Sequence, residues 1–114
     1  MSLLTDLRCQ PCGGDTDPLN REEAAGLLKG LHEAWRMDEQ CQEIRRLFLF
    51  DNFHETMAFV NAVAWIAHQE DHHPALEVAY GQCAVRYSTH AIGGLSENDF
   101  ICAAKVDVLL DIEE

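Results

Sequence analysis

Residues 75–80 (ALEVAY) and 83–89 (CAVRYST) are two runs in which the larger apolar residues alternate with alanine, charged or small polar ones, and only Gly81 and Gln82 separate them. Parallel strands need a long crossover, so a two-residue connection dictates an antiparallel hairpin. A Gly-X pair suits a type II′ turn. With Gly81 and Gln82 as the loop, Tyr80 faces Cys83, Val78 faces Val85 and Leu76 faces Tyr87. All six then lie on one side of the hairpin, which is the predicted core side. Glu77 stands opposite Arg86 on the other side, as an opposite-charge pair. Extending this register sets His73 against His90 at the open end.

The hairpin follows a strong helical signal. In residues 51–70 (DNFHETMAFVNAVAWIAHQE), Phe53, Met57, Val60, Ala64 and Ala67 recur at helical spacing, and Phe59, Val63 and Ile66 widen the stripe. Phe59 and Trp65 read as core on this pattern, and Tyr80 reads as core on the hairpin pattern. Asn52 and Glu55 form a capping box at the helix start. Pro74 excludes further helix and biases His73 toward an extended backbone.

Earlier in the chain, Asn20 and Glu23 make another capping box, ahead of Leu27, Leu28 and Leu31. EAWRM (33–37) and QEIRRLFLF (42–50) read as strands joined near residues 38–40. Ile44, Phe48 and Phe50 share one face and Arg45 the other, with Arg46 an exception on the apolar side. Near the end, Gly93 and Gly94 permit tight turns. Ser96 and Asp99 then cap a last helix, whose stripe is Ile101, Ala104, Val108 and Ile112. The order α-β-β-α-β-β-α predicts an α+β, two-layer domain, with a four-stranded antiparallel sheet of two hairpins covered by helices. Residues 1–18, broken by Pro11, Gly13, Gly14 and Pro18, read as a flexible leader, with the domain spanning 19–114.

Of 114 residues, 47% are hydrophobic and 25% charged, which suits one globular domain with its own core. The formal net charge of −12, from 20 acids and 8 bases, repels nucleic-acid backbones and anionic membranes. No apolar run approaches the ~18–20 residues of a spanning helix, and no signal peptide is legible. The expected location is the cytoplasm. Five cysteines, an odd number, point to free thiols. Cys9 and Cys12 form a CxxC pair, but a structural zinc site needs a second pair. A Gly-Gly-Asp loop follows, rather than the helix of a thioredoxin-like motif. Both therefore read as incidental thiols.

Four of the six histidines, His68, His72, His73 and His90, fall between residues 68 and 90. Three readings fit them. His68 and His72, at i and i+4, could chelate a metal, although Gln69 stands where a zincin needs glutamate. The cluster could instead move protons near neutral pH, one histidine removing a proton while another delivers one to a leaving group, as an elimination needs. Or they could be surface residues near a helix C-terminus, favoured by its dipole. His32 and His54 take that last reading.

The motif His72-His73-Pro74, Tyr80 six residues after the proline, the STH ending at His90, and GLSEND with Asp99 resemble the pterin-4a-carbinolamine dehydratases. His68, Trp35, FLFDNF and the following Ala/Val-rich helix fit the same pattern, which covers about residues 20–112. The resemblance implies dehydration of 4a-hydroxytetrahydropterins to quinonoid dihydropterins in tetrahydrobiopterin recycling, with no metal or organic cofactor. Carried over, His72, His73, His90 and Asp99 are catalytic candidates. His72, His73, Pro74, Thr89 and His90 are substrate-binding candidates. His72 and His73 would be acid and base in unassigned order, His90 would hold or polarise the pterin, and Asp99 would orient a histidine or bind the pterin. The resemblance also implies a homodimer or homotetramer. An alternative within it is a pterin-binding protein without turnover, for example in molybdenum-cofactor metabolism. Two positions depart from the pattern. Val78 replaces a frequent asparagine, removing a polar group expected near the site, and Tyr87 replaces a frequent leucine.

Overall fold

The computed structural model describes residues 4–11 and 16–110. The element order is α1 (Arg21–Leu28), β1 (Arg36–Met37), β2 (Ile44–Leu49), α2 (Phe53–Glu70), β3 (Ala75–Ala79), β4 (Gln82–Tyr87) and α3 (Glu97–Val108), with short 3₁₀ turns at Leu4–Asp6 and His90–Ile92. The α+β order expected from the sequence is the observed one. All strand pairs are antiparallel, in the order β1-β2-β4-β3.

Alternation works as expected on β2. Ile44 and Phe48 are buried, while Leu47 and Leu49 face out. Arg46 lies on the core side because Asp107 meets it there: Arg46 Nη1 is 2.7 Å from Asp107 Oδ1. The same oxygen accepts a hydrogen bond from the Trp35 indole at 2.8 Å. Trp35 packs edge-on against Phe48, and Phe48 lies 4.6 Å from Phe59, which ties α2 to the sheet.

Helix α2 presents Thr56, Phe59, Val63, Ile66 and Ala67 to the core. Phe59, Val63 and Ile66, expected only to widen the face, therefore form its centre, and of the expected main stripe only Ala67 is buried. Phe53, at 48% exposed, points outward, and so does Trp65, at 60%, which corrects its assignment to the core. Spacing alone cannot orient a helix with apolar residues around much of its circumference. The Asn52 half of the second capping box forms, with Glu55 N donating to Asn52 Oδ1, whereas Glu55 Oε1 accepts from Asp51 N.

The hairpin register differs by two residues from the expected one. Tyr80 and Gly81 form the loop, Val78 pairs with Cys83, and Leu76 pairs with Val85. Glu77 lies beside Ala84 and reaches Arg86 only diagonally, at 3.8 Å. Tertiary contacts set the turn. Phe50 N donates to Gly81 O at 2.8 Å, and Thr56 Oγ1 donates to Tyr80 O at 2.9 Å. A Cβ on Gly81 would lie 2.9 Å from Phe50 O, so glycine is needed for close approach. No residue of this turn has positive φ, which excludes type II′. A two-residue shift preserves the faces, so Cys83, Val85 and Tyr87 remain buried. Tyr80 is 67% exposed at the tip, not core.

Candidate functional site

Helix α2 ends at Asp71, a C-cap in the left-handed region (φ 52°, ψ 43°) whose N–H bonds Ala67 O. This residue turns the chain, and His72 N also donates to Ala67 O at 3.2 Å. The His72 side chain is folded inward and only 12% exposed. Its ring stacks on Tyr87 at 5.9 Å and 8°. Its Nε2 lies 2.6 Å from Asp99 Oδ1.

Asp99 is fully buried in the first turn of α3. Its Oδ2 accepts from Ser96 N at 2.9 Å and from Thr89 Oγ1 at 2.8 Å. The Thr89 hydroxyl has one proton, committed to Asp99, so at 2.7 Å the Ser96 hydroxyl must donate to Thr89. A carboxylate accepts only, so the His72 proton next to Asp99 sits on Nε2. Nδ1 is then the nitrogen with a lone pair when the ring is neutral.

After β4 the chain makes a small closed loop. Thr89 bridges Gly94, and the 3₁₀ turn His90–Ile92 sits between them. Gly93 closes the turn at φ 69°, where a side chain is strained. The loop presents His90 and Ala91 to the same space that His72 faces.

That space is a cavity of about 550 Å³. His72, His73, Ser88, Thr89 and His90 line one part of it, Glu70, Asp71 and Asn98 another, and Cys9, Gln10 and Pro11 a third. The structure thus brings His72, His73 and His90 together, although not through the expected cross-strand pair. In the observed register His73 lies beyond the end of β3, and the convergence comes from the α2–β3 corner and the 3₁₀ loop. Asp99 does not line the cavity and reaches it through His72 and Thr89. Pro74 and Val78 are not lining residues either, so Val78 does not remove a polar group from the wall. His68 is exposed beside Trp65, at a ring distance of 5.5 Å, outside the cavity. Among the described residues, no group of three or more His, Cys, Asp or Glu side chains is placed to hold a metal ion.

Sequence reasoning missed the wall formed by residues 9–11. Arg8 Nε meets Glu70 Oε2 at 2.9 Å, and Cys9 N donates to Glu70 Oε1 at 2.8 Å. Gln10 N donates to Asn98 Oδ1 at 3.0 Å, and Asn98 Nδ2 donates back to Gln10 O at 2.6 Å. Burial alone would raise the Glu70 carboxyl, but the Cys9 amide and the charges of Lys105 and Arg8 outweigh it, holding the group below its ordinary 4.5. No local pattern signals such contacts, which span about 60 to 90 residues of chain. Cys12 lies outside the described residues.

Comparison with known proteins places the sequence and the fold. The family model described as Pterin 4 alpha carbinolamine dehydratase matches residues 17–109. A relative in Nitrosomonas eutropha that bears the family's name is 61% identical over 107 residues, 94% of this chain and 93% of its own. One in Legionella pneumophila is 52% identical over 109 residues, 96% of each chain. A Brucella melitensis crystal structure described as a transcriptional coactivator/pterin dehydratase superposes with a TM-score of 0.76 at 29% identity, covering 82% of this chain and 98% of that one. With the family model matched over residues 17–109 and relatives more than half identical over nearly the whole length, the chain belongs to the pterin-4a-carbinolamine dehydratase family.

Proposed function

We propose that this chain converts a 4a-hydroxytetrahydropterin to the quinonoid dihydropterin and water, as a hydro-lyase in tetrahydrobiopterin recycling. The observation that carries the reading is the convergence of His72, His73 and His90 on one cavity, with His72 held by buried Asp99. The volume of about 550 Å³ is within the range of small-molecule sites. In the reaction the 4a-oxygen takes a proton and leaves as water, N5 loses its proton, and the C4a–N5 double bond forms. One histidine supplies the first proton and another accepts the second. Asp99 acts as a positioning residue, because it is sealed from the cavity and bonded to the His72 ring. Thr89 shares that task, and Ser88 and His90 complete the substrate wall. No step calls for a metal or organic cofactor. A homodimer or homotetramer in the cytoplasm belongs to the same reading, and exposed apolar residues such as Leu49 (71%) support association.

The test is dehydration of a synthetic 4a-hydroxytetrahydropterin, followed by ultraviolet absorbance at neutral pH. The wild-type chain should accelerate it, and the His72→Ala, His73→Ala double variant should not. A wild-type rate equal to the uncatalysed one would leave a pterin-binding protein and sink the dehydratase reading.

A further inference from the structure

The sulfur of Cys9 lies 3.5 Å from that of Cys102. The two cysteines are far apart in sequence and differ in setting. Cys9 is half-buried and lines the cavity. Cys102 is fully buried on α3, three residues beyond Asp99. The backbone around Cys9 is already held against α2 and α3 by Glu70 and Asn98. Closing to a disulfide, at about 2.05 Å, needs a sulfur movement of roughly 1.5 Å.

We propose that Cys9 and Cys102 are a reversible oxidation site, a thiol pair that closes to an intrachain disulfide and fixes one wall of the substrate cavity. The oxidant is a hydroperoxide small enough to enter the cavity. The Cys9 thiolate attacks the peroxide, the O–O bond breaks, and an alcohol or water leaves with a proton from solvent. Cys9 becomes a sulfenic acid, oxidised by two electrons. The Cys102 sulfur then attacks the Cys9 sulfur. The S–S bond forms, the S–O bond breaks, and the hydroxyl leaves as water with the Cys102 proton. A low-molecular-weight thiol reverses the step by exchange.

The division of roles follows from the surroundings. The hydrogen bond to Cys9, and then burial, push the Cys102 thiol far above its ordinary 9.0. Cys102 thus keeps its proton, and the more accessible Cys9 meets the oxidant. The CxxC spacing suggests Cys12 as the partner of Cys9, whereas the fold supplies Cys102.

The functional half of the inference rests on the dehydratase reading, and the chemical half does not. The experiment treats the reduced full-length chain with stoichiometric hydrogen peroxide, alkylates it, and maps the digested peptides by mass. The expected product is a Cys9–Cys102 crosslink within one chain, lost on dithiothreitol treatment, retained in Cys12→Ala and absent in Cys102→Ala. A Cys9–Cys12 crosslink, or free Cys9 and Cys102 after Cys41 has been oxidised, would overturn the proposal. Turnover of 4a-hydroxytetrahydropterin by Cys12→Ala is then compared before and after oxidation. The expected result is a change in KM of about 5-fold or more, restored by reduction. An unchanged KM with the crosslink complete would overturn the link to the cavity. If the reduced protein shows no turnover, the dehydratase reading fails while the peptide map still decides the crosslink.

Discussion

His72 Nε2 lies 2.6 Å from Asp99 Oδ1, joining the corner after α2 to the first turn of α3 across 27 positions of chain. The contact gives one buried carboxylate two tasks. Asp99 Oδ2 holds the start of α3 through Ser96 N, while Oδ1 holds the imidazole. Asp99→Asn keeps the shape and removes the charge. We expect turnover to fall by roughly ten- to a thousandfold, because Asp99 acts through His72, and full loss of a proton-transferring group costs about 10²–10⁴-fold. Thermal denaturation should show a loss of about 1–2 kcal/mol, because a hydrogen bond to a charged group is replaced by a weaker one. Unchanged turnover in a folded variant would make the carboxylate purely a helix cap.

Single substitutions separate the histidines. His72→Ala, His73→Ala and His90→Ala should each lower turnover, by about 10²–10⁴-fold where the residue transfers a proton. His68→Ala, outside the cavity, should leave it unchanged. His72→Ala should also cost stability, since its ring packs on Tyr87 and its partner Asp99 stays buried. Equal loss of turnover in all four variants would point to a general folding effect.

Glu70 ties the segment at Cys9 to α2 most strongly while ionised, because protonation removes the charge that pairs with Arg8 and Lys105 and that strengthens the bond from the Cys9 amide. Its folded-state carboxyl is held below 4.5, so its contribution is present above that value and is lost as pH falls through the lower folded-state range. Hydrogen exchange at the Cys9 amide should therefore quicken, relative to the intrinsic rate, as pH drops below 4.5, and Glu70→Gln should show faster exchange already at pH 7. Equal protection of that amide on both sides of 4.5 would show that Asn98 alone anchors the segment.

Gly81→Ala places a methyl group 2.9 Å from the Phe50 carbonyl. The hairpin tip or β2 must shift, and we expect destabilisation of about 1–3 kcal/mol in chemical denaturation. Alanine suffers no φ penalty at this turn, so a neutral result would mean that the Phe50–Gly81 approach relaxes without cost.

Much of the fold was legible because the largest apolar residues of β2 and β4 fall on one face, Ile44 and Phe48 on β2 and Cys83, Val85 and Tyr87 on β4, and that parity survived even where the register did not. The hairpin slipped by two positions because Phe50 and Thr56, distant in sequence, hold the backbone of Tyr80 and Gly81. Trp65 misled because aromatic residues at helical spacing look alike whether they face a core or solvent. The histidine cluster was legible as chemistry, and the family motif named its members. Its geometry was not legible. Asp99 behind His72, Tyr87 stacked beneath it and Asn98 clamping Gln10 all depend on contacts between elements that no local pattern encodes.

Asp71 holds a left-handed backbone that glycine adopts more readily, at a cost of about 1–2 kcal/mol for a residue with a Cβ. Selection for heat tolerance alone would favour Asp71→Gly. That change would also free the joint from which His72 and His73 hang, widening the range of angles they sample. At this one position, durability and aim would pull in opposite directions, and keeping a side chain there favours aim.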